Sequence, residues 1–135
     1  MIRKSSVVSF LVLLSCLVSA QEPSTCHGTA ADGSLNNGGK LPSSGANYSV
    51  YSSIGSMIGR TYVHSEVYAV VVDAYFKLEK SLPKNVFVYG ESGKKSGGEF
   101  DPHKTHRNGL SVDFMVPVVD QSGESVPLPA SVLNK

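Results

Sequence analysis

The chain has 135 residues, 12 Lys and Arg against 11 Asp and Glu, and a formal net charge of +1. So even a balance gives no electrostatic reason to expect nucleic acid or an anionic membrane as partner. No apolar run reaches bilayer-spanning length.

Residues 1–20 read as a secretory signal. Arg3 and Lys4 give a positive start, Val7 to Val18 is apolar, and Val18-Ser19-Ala20 supplies small residues before Gln21. A lipoprotein reading would acylate Cys16 instead, but the apolar run continues past that cysteine. Export is expected, to the periplasm where the source has one. Cleavage leaves 135 − 20 = 115 residues, charged 10 − 11 = −1, enough for one small domain. Cys26 would then stand alone in an oxidising compartment: free, paired with another chain, or missing a partner.

Residues 21–40 are rich in Gly, Ser and Asn, with the turn signal Asn36-Asn37-Gly38-Gly39, and predict a surface loop or flexible arm. His27 beside Cys26 is read as part of that arm rather than as a metal site. The domain proper is expected over 41–135. Tyr48 to Tyr51 predicts a short strand, and Arg60-Thr61-Tyr62-Val63 leads into the next element.

Residues 65–82 predict the main helix. Ser65 can cap it, Glu66 suits its positive end, and Lys77 and Lys80 suit its negative end. Val67, Val70, Val71, Ala74 and Leu78 carry the spacing of a buried stripe, and Pro83 marks the stop. Asn85 to Tyr89 predicts a strand broken by Gly90, followed by a glycine- and lysine-rich loop. Along 110–116, Leu110, Val112, Phe114 and Val116 alternate with Ser111, Asp113 and Met115, as in a strand with one buried face. Asp120 to Gly123 predicts a turn into a last strand near Ser125 to Leu128. Strands packed on one helix without βαβ repetition indicate α+β, with a small antiparallel sheet.

Within Pro102-His103-Lys104-Thr105-His106-Arg107-Asn108-Gly109-Leu110-Ser111-Val112-Asp113, the Asn108-Gly109 pair is a strong hairpin signal. Such a turn would set Arg107 opposite Leu110 and His106 opposite Ser111, making His106 and Asp113 diagonal neighbours on one face. An extended chain would hold them ~23 Å apart. An imidazole beside a carboxylate makes either a candidate metal site or a hydrogen-bonded surface pair. His103 would share it only if its segment is turn-like.

The segment Thr105 to Asp113 resembles the H-x-x-G-x-x-x-D signature of zinc peptidases that cut bacterial cell-wall peptides. With Gly97-Gly98, His103, His106, Gly109, Val112 and Asp113 it resembles most the penicillin-insensitive murein endopeptidases. Weaker similarity extends upstream through Gly39-Lys40-Leu41-Pro42, Gly45, Tyr48 and the segment Arg60 to His64. The resemblance implies zinc held by His106 and Asp113, and an active-site role for His103, as an additional ligand or otherwise. It also implies hydrolysis of the D-alanyl to meso-diaminopimelyl cross-link of murein. The family completes its site with a downstream H-x-H that this sequence lacks, so a C-terminally incomplete domain is expected, with the third ligand and general base beyond Lys135. Two alternatives accompany this: a non-catalytic module that binds cell-wall peptide, or a hydrolase of terminal D-Ala. His64 is read as a helix-start residue or as lining the cleft. Lys94, Lys95 and Arg107 are near enough in sequence to meet a substrate carboxylate.

Overall fold

The computed structural model describes residues 22–126. The expected signal, Cys16 and the segment from Pro127 onward, including the end of the last expected strand, lie outside the described residues. The chain is a small α+β domain. In order it forms β1 (Thr25–Gly28), β2 (Gly33–Asn36), β3 (Gly39–Lys40), β4 (Tyr48–Val50), α1 (Ser53–Met57), β5 (Tyr62–Val63), α2 (Ser65–Ser81) and β6 (Phe87–Tyr89).

These strands make three pairs rather than one antiparallel sheet. β1 with β2 and β3 with β5 are antiparallel, whereas β4 and β6 are parallel. Two parallel strands need a long crossover, and α2 lies within it. β6 is central: β4 borders one side, while residues 113–115 run antiparallel along the other, with Tyr89 opposite Phe114.

The segment from Thr25 on is not a loop but a hairpin. Leu35, opposite Cys26 in β1, is 1 % exposed, and the Leu35 N–H donates to the Ser96 carbonyl. Strand β2 thus lies along the 93–98 loop, with Ser34 opposite Gly97 and the Gly98 N–H donating to the Gly33 carbonyl.

Helix α2 keeps close to its expected limits, but both its cap and its buried face differ from expectation. The N-cap is His64, whose Nδ1 accepts from the Glu66 N–H at 3.2 Å. Ser65 is occupied elsewhere: its Oγ accepts from the Ser24 N–H, and its own N–H donates to Ser24 Oγ. The buried residues are Val71 and Tyr75, flanked by Val67, Tyr68 and Leu78. Val70 is 68 % exposed, and Ala74 is exposed too. Two tyrosines at 68 and 75 swing the apolar face away from the valine run, because each offers more area to bury than Val or Ala. Leu82 caps the C-terminus ahead of Pro83, as expected.

The core cluster is Leu41, Val63, Val71, Tyr75 and Tyr89, with Tyr48, Val50, Val67, Tyr68, Leu78, Phe87 and Val112 packed against it. Tyr48 and Tyr75 stack at 4.4 Å between ring centres. Full burial of a large apolar side chain contributes about 1.5–3 kcal/mol, so this aromatic cluster is the main glue between α2 and the β4–β6 pair.

The stripe expected along 110–116 does not become core. Leu110, Phe114 and Val116 are 50 %, 57 % and 80 % exposed, and only Val112 packs inward. Alternation describes a strand-like segment but cannot say whether a second layer covers it. Downstream, the Asp120 turn forms as expected, with Asp120 Oδ1 accepting from the Ser122 and Glu124 N–H groups.

Candidate metal centre

His103, His106 and Asp113 converge, each offering a ligand atom within 4.8 Å of the others. His106 Nε2 is 3.2 Å from Asp113 Oδ1, and His103 Nδ1 is 3.9 Å from Asp113 Oδ2. The three predicted residues are brought together, though by a different route from the one the sequence suggested.

No hairpin forms at Asn108-Gly109. Asn108 is buried, and its Oδ1 accepts from the Leu110 N–H in a local Asx turn. Gly109 faces inward: its carbonyl accepts from the His64 N–H, and a Cβ on it would lie 2.7 Å from Leu35 Cδ2. Such close packing by the hairpin and the start of α2 leaves no free apex for a two-residue turn. The neighbouring His106 adopts φ of +71°, a conformation uncommon outside glycine and concentrated at functional sites.

The stretch Gly90 to Ser92, which continues β6, organises the site. Gly90 sits opposite Asp113, donating its N–H to the Asp113 carbonyl at 2.7 Å. Ser92 offers its carbonyl to His106 Nδ1 at 3.2 Å, and Glu91 Oε2 meets His103 Nε2 at 2.9 Å. All three candidate ligands therefore take their positions from three consecutive residues.

These contacts set the imidazole tautomers. The Ser92 carbonyl can only accept, so His106 carries a proton on Nδ1, leaving Nε2 to face Asp113. Glu91, ionised against Arg60, likewise accepts from His103 Nε2–H, leaving the Nδ1 lone pair turned towards Asp113. Lone pairs from two imidazoles and a carboxylate repel unless a cation or an extra proton lies between them. Histidines that ligate metal characteristically donate their far N–H to a carboxylate or carbonyl. His106 Nε2 and His103 Nδ1 face different oxygens of Asp113, at 3.2 and 3.9 Å. The group can hold a metal ion.

Burial grades across the site. The His106 side chain is 5 % exposed, His103 28 % and Asp113 44 %, so the ligand set opens to solvent on the aspartate side. Phe100, fully buried, forms the floor, with its ring 5.3 Å from that of His103 and 5.8 Å from that of His106.

The other singled-out residues lie elsewhere. His64 starts α2 and is outside the ligand group. His27 and Cys26 lie on β1, where His27 Nε2 is 3.4 Å from Asn36 Nδ2 and Cys26 is a free thiol. Lys94 and Lys95 are exposed, while Arg107 is partly buried with its Nε shielded from water. Sequence reasoning missed Glu91, Ser92, Arg60 and Phe100. An acid two residues after a strand, at the start of a loop rich in Gly, Ser and Lys, was the one signal that could have pointed to Glu91.

No protein-family model matches this chain, and no curated protein is significantly similar to it. No helix among the described residues is long and apolar enough to cross a membrane.

Proposed function

We propose that this chain is an exported zinc-dependent peptidase of the murein endopeptidase type, acting on peptide cross-links of the bacterial cell wall. The observation that carries the proposal is the convergence of His103, His106 and Asp113 with both outer imidazole nitrogens bound to oxygen acceptors. The similarity of residues 97–113 to the murein endopeptidase motif supplies the substrate class. The match of fold is proposed on the same ground.

Imidazole and carboxylate donors suit zinc, and two histidines with one acidic residue make a ligand set typical of its open catalytic sites. Bound there, zinc would lower the pKa of a coordinated water towards ~7 and polarise a peptide carbonyl. The residues of this chain would hold and orient it. His106, Asp113 and His103 would hold the ion, with Ser92 orienting His106 and buried Phe100 shielding the inner side. Asp113 is the exposed member of the group, so a peptide would approach from its side.

Zinc content and murein digestion test this reading. The protein should bind one zinc ion, and H106A and D113A should each abolish that binding. Purified sacculi treated with the zinc-loaded protein should lose cross-linked dimers on chromatography. Trimmed monomers would show a terminal D-Ala hydrolase instead, and an unchanged pattern a module that binds without cutting.

A further inference from the structure

The motif residues account for the ligand atoms but not for a partly buried charge assembly behind them. Arg60, just ahead of β5, and Glu91, just after β6, form a bidentate pair: Nε to Oε1 at 2.6 Å and Nη2 to Oε2 at 2.6 Å. Their side chains are 15 % and 14 % exposed. Arg60 Nη2 also donates to the Asp101 carbonyl at 2.7 Å, and its guanidinium lies 4.1 Å above the Phe100 ring centre. Glu91 Oε2 then receives His103 Nε2 at 2.9 Å.

We propose that Glu91 and Arg60 are positioning residues of the metal centre, with Glu91 orienting His103 and Arg60 fixing Glu91. This rests on the metal reading above and extends it to two residues outside the motif.

A partly exposed imidazole on a loop can rotate about two bonds and present either nitrogen. Here its ring face lies against Phe100 and its Nε2–H is committed to a carboxylate, so Nδ1 alone can turn to Asp113. Glu91 in turn cannot swing away, because the planar guanidinium engages both its oxygens. Arg60 is locked by the Asp101 carbonyl, two residues from His103, and by the same Phe100 ring that supports the imidazole. A pair serving stability alone would need neither the third bond to His103 nor the shared ring. Replacing a buried pair by apolar residues is often neutral for stability, so that explanation is weak on energetic grounds too.

The test measures zinc affinity of the purified protein by competition with a chromophoric chelator, the ligand-field spectrum of its cobalt form, and the imidazole N–H protons of the metal-free protein by NMR. E91A should weaken zinc binding about 10–100-fold, the usual cost of losing such a partner. It should also change the cobalt spectrum and speed the exchange of the His103 Nε2–H with water. E91Q keeps an acceptor oxygen and should recover most of the affinity, which a purely structural ion pair would not predict. Should E91A fail to fold, the double variant R60M/E91L removes both charges together and should show the same loss of affinity. Equal zinc affinity in wild type and in the folded variant lacking Glu91 overturns the positioning role. A wild type that binds no zinc overturns the metal reading, and the role built on it.

Discussion

Gly90 and Asp113 lie directly opposite each other, and the absence of a side chain on the first sets the position of the second. A Cβ on Gly90 would lie 3.0 Å from Asp113 Cβ, closer than side chains normally approach. Gly90→Ala should therefore push Asp113 by a few tenths of an ångström away from His106, and Gly90→Val further. Zinc affinity should fall in the order Gly, Ala, Val. Chelator competition checks the order, and equal affinities would show that Asp113 adapts freely.

Metal binding should be visible as stability. A ligand held only by the folded state at a hundred times its Kd adds about 2.7 kcal/mol, or about 10 °C in Tm for a domain of this size. Thermal scans with zinc and then with EDTA should show that gain and its reversal. H106A and D113A should show neither.

Gly109 should resist replacement for two independent reasons. Its φ is +79°, and a Cβ would meet both Leu35 Cδ2 at 2.7 Å and the His64 nitrogen at 2.9 Å. Gly109→Ala is expected to cost about 1–3 kcal/mol, read from urea denaturation midpoints.

The two core tyrosines should respond oppositely to loss of their hydroxyls. Tyr75 Oη is buried with no hydrogen-bond partner among the described residues, so Tyr75→Phe should be neutral or stabilising by about 1 kcal/mol. Tyr89 Oη donates to the Pro42 carbonyl at 2.7 Å, so Tyr89→Phe should cost about 1–3 kcal/mol. Chemical denaturation of the two variants side by side decides it.

Alkali should unfold the domain through the same cluster. Burial raises the Tyr75 phenol from 10.0 to about 12, helped by the nearby Tyr48, and raises Tyr89 and Tyr48 in the same direction. Unfolded phenols ionise near pH 10, while the folded ones keep their protons, so above that pH the unfolded chain binds fewer protons. Stability should be intact below pH 10 and fall as pH rises through the folded values. Denaturation midpoints followed with tyrosinate absorbance should fall together with the appearance of the anion.

Elements whose cause is local were readable from the residues. Pro83 ends α2, Asp120 and Gly123 make their turn, and the short apolar runs at 48–50 and 87–89 become strands. The histidines and the aspartate were also legible as a group that could hold a metal ion, since few residue types carry the required lone pairs. Errors arose where distant partners compete. Ser65 is a good cap in isolation but bonds Ser24, and His64 takes its place. Asn108-Gly109 is a good hairpin turn in isolation, yet Leu35 and His64 close over it.

Residue chemistry alone settled that this is a small α+β chain carrying two imidazoles and a carboxylate within one short stretch. The hairpin it suggested at Asn108-Gly109 to align them does not form. The alignment came from β6, whose continuation through Gly90, Glu91 and Ser92 seats Asp113, His103 and His106 in turn. Parallel pairing of β4 with β6, and the bond from Glu91 to His103, join residues far enough apart that no local preference encodes them. They form because folding must bury the tyrosine core and pair most of the polar groups it encloses.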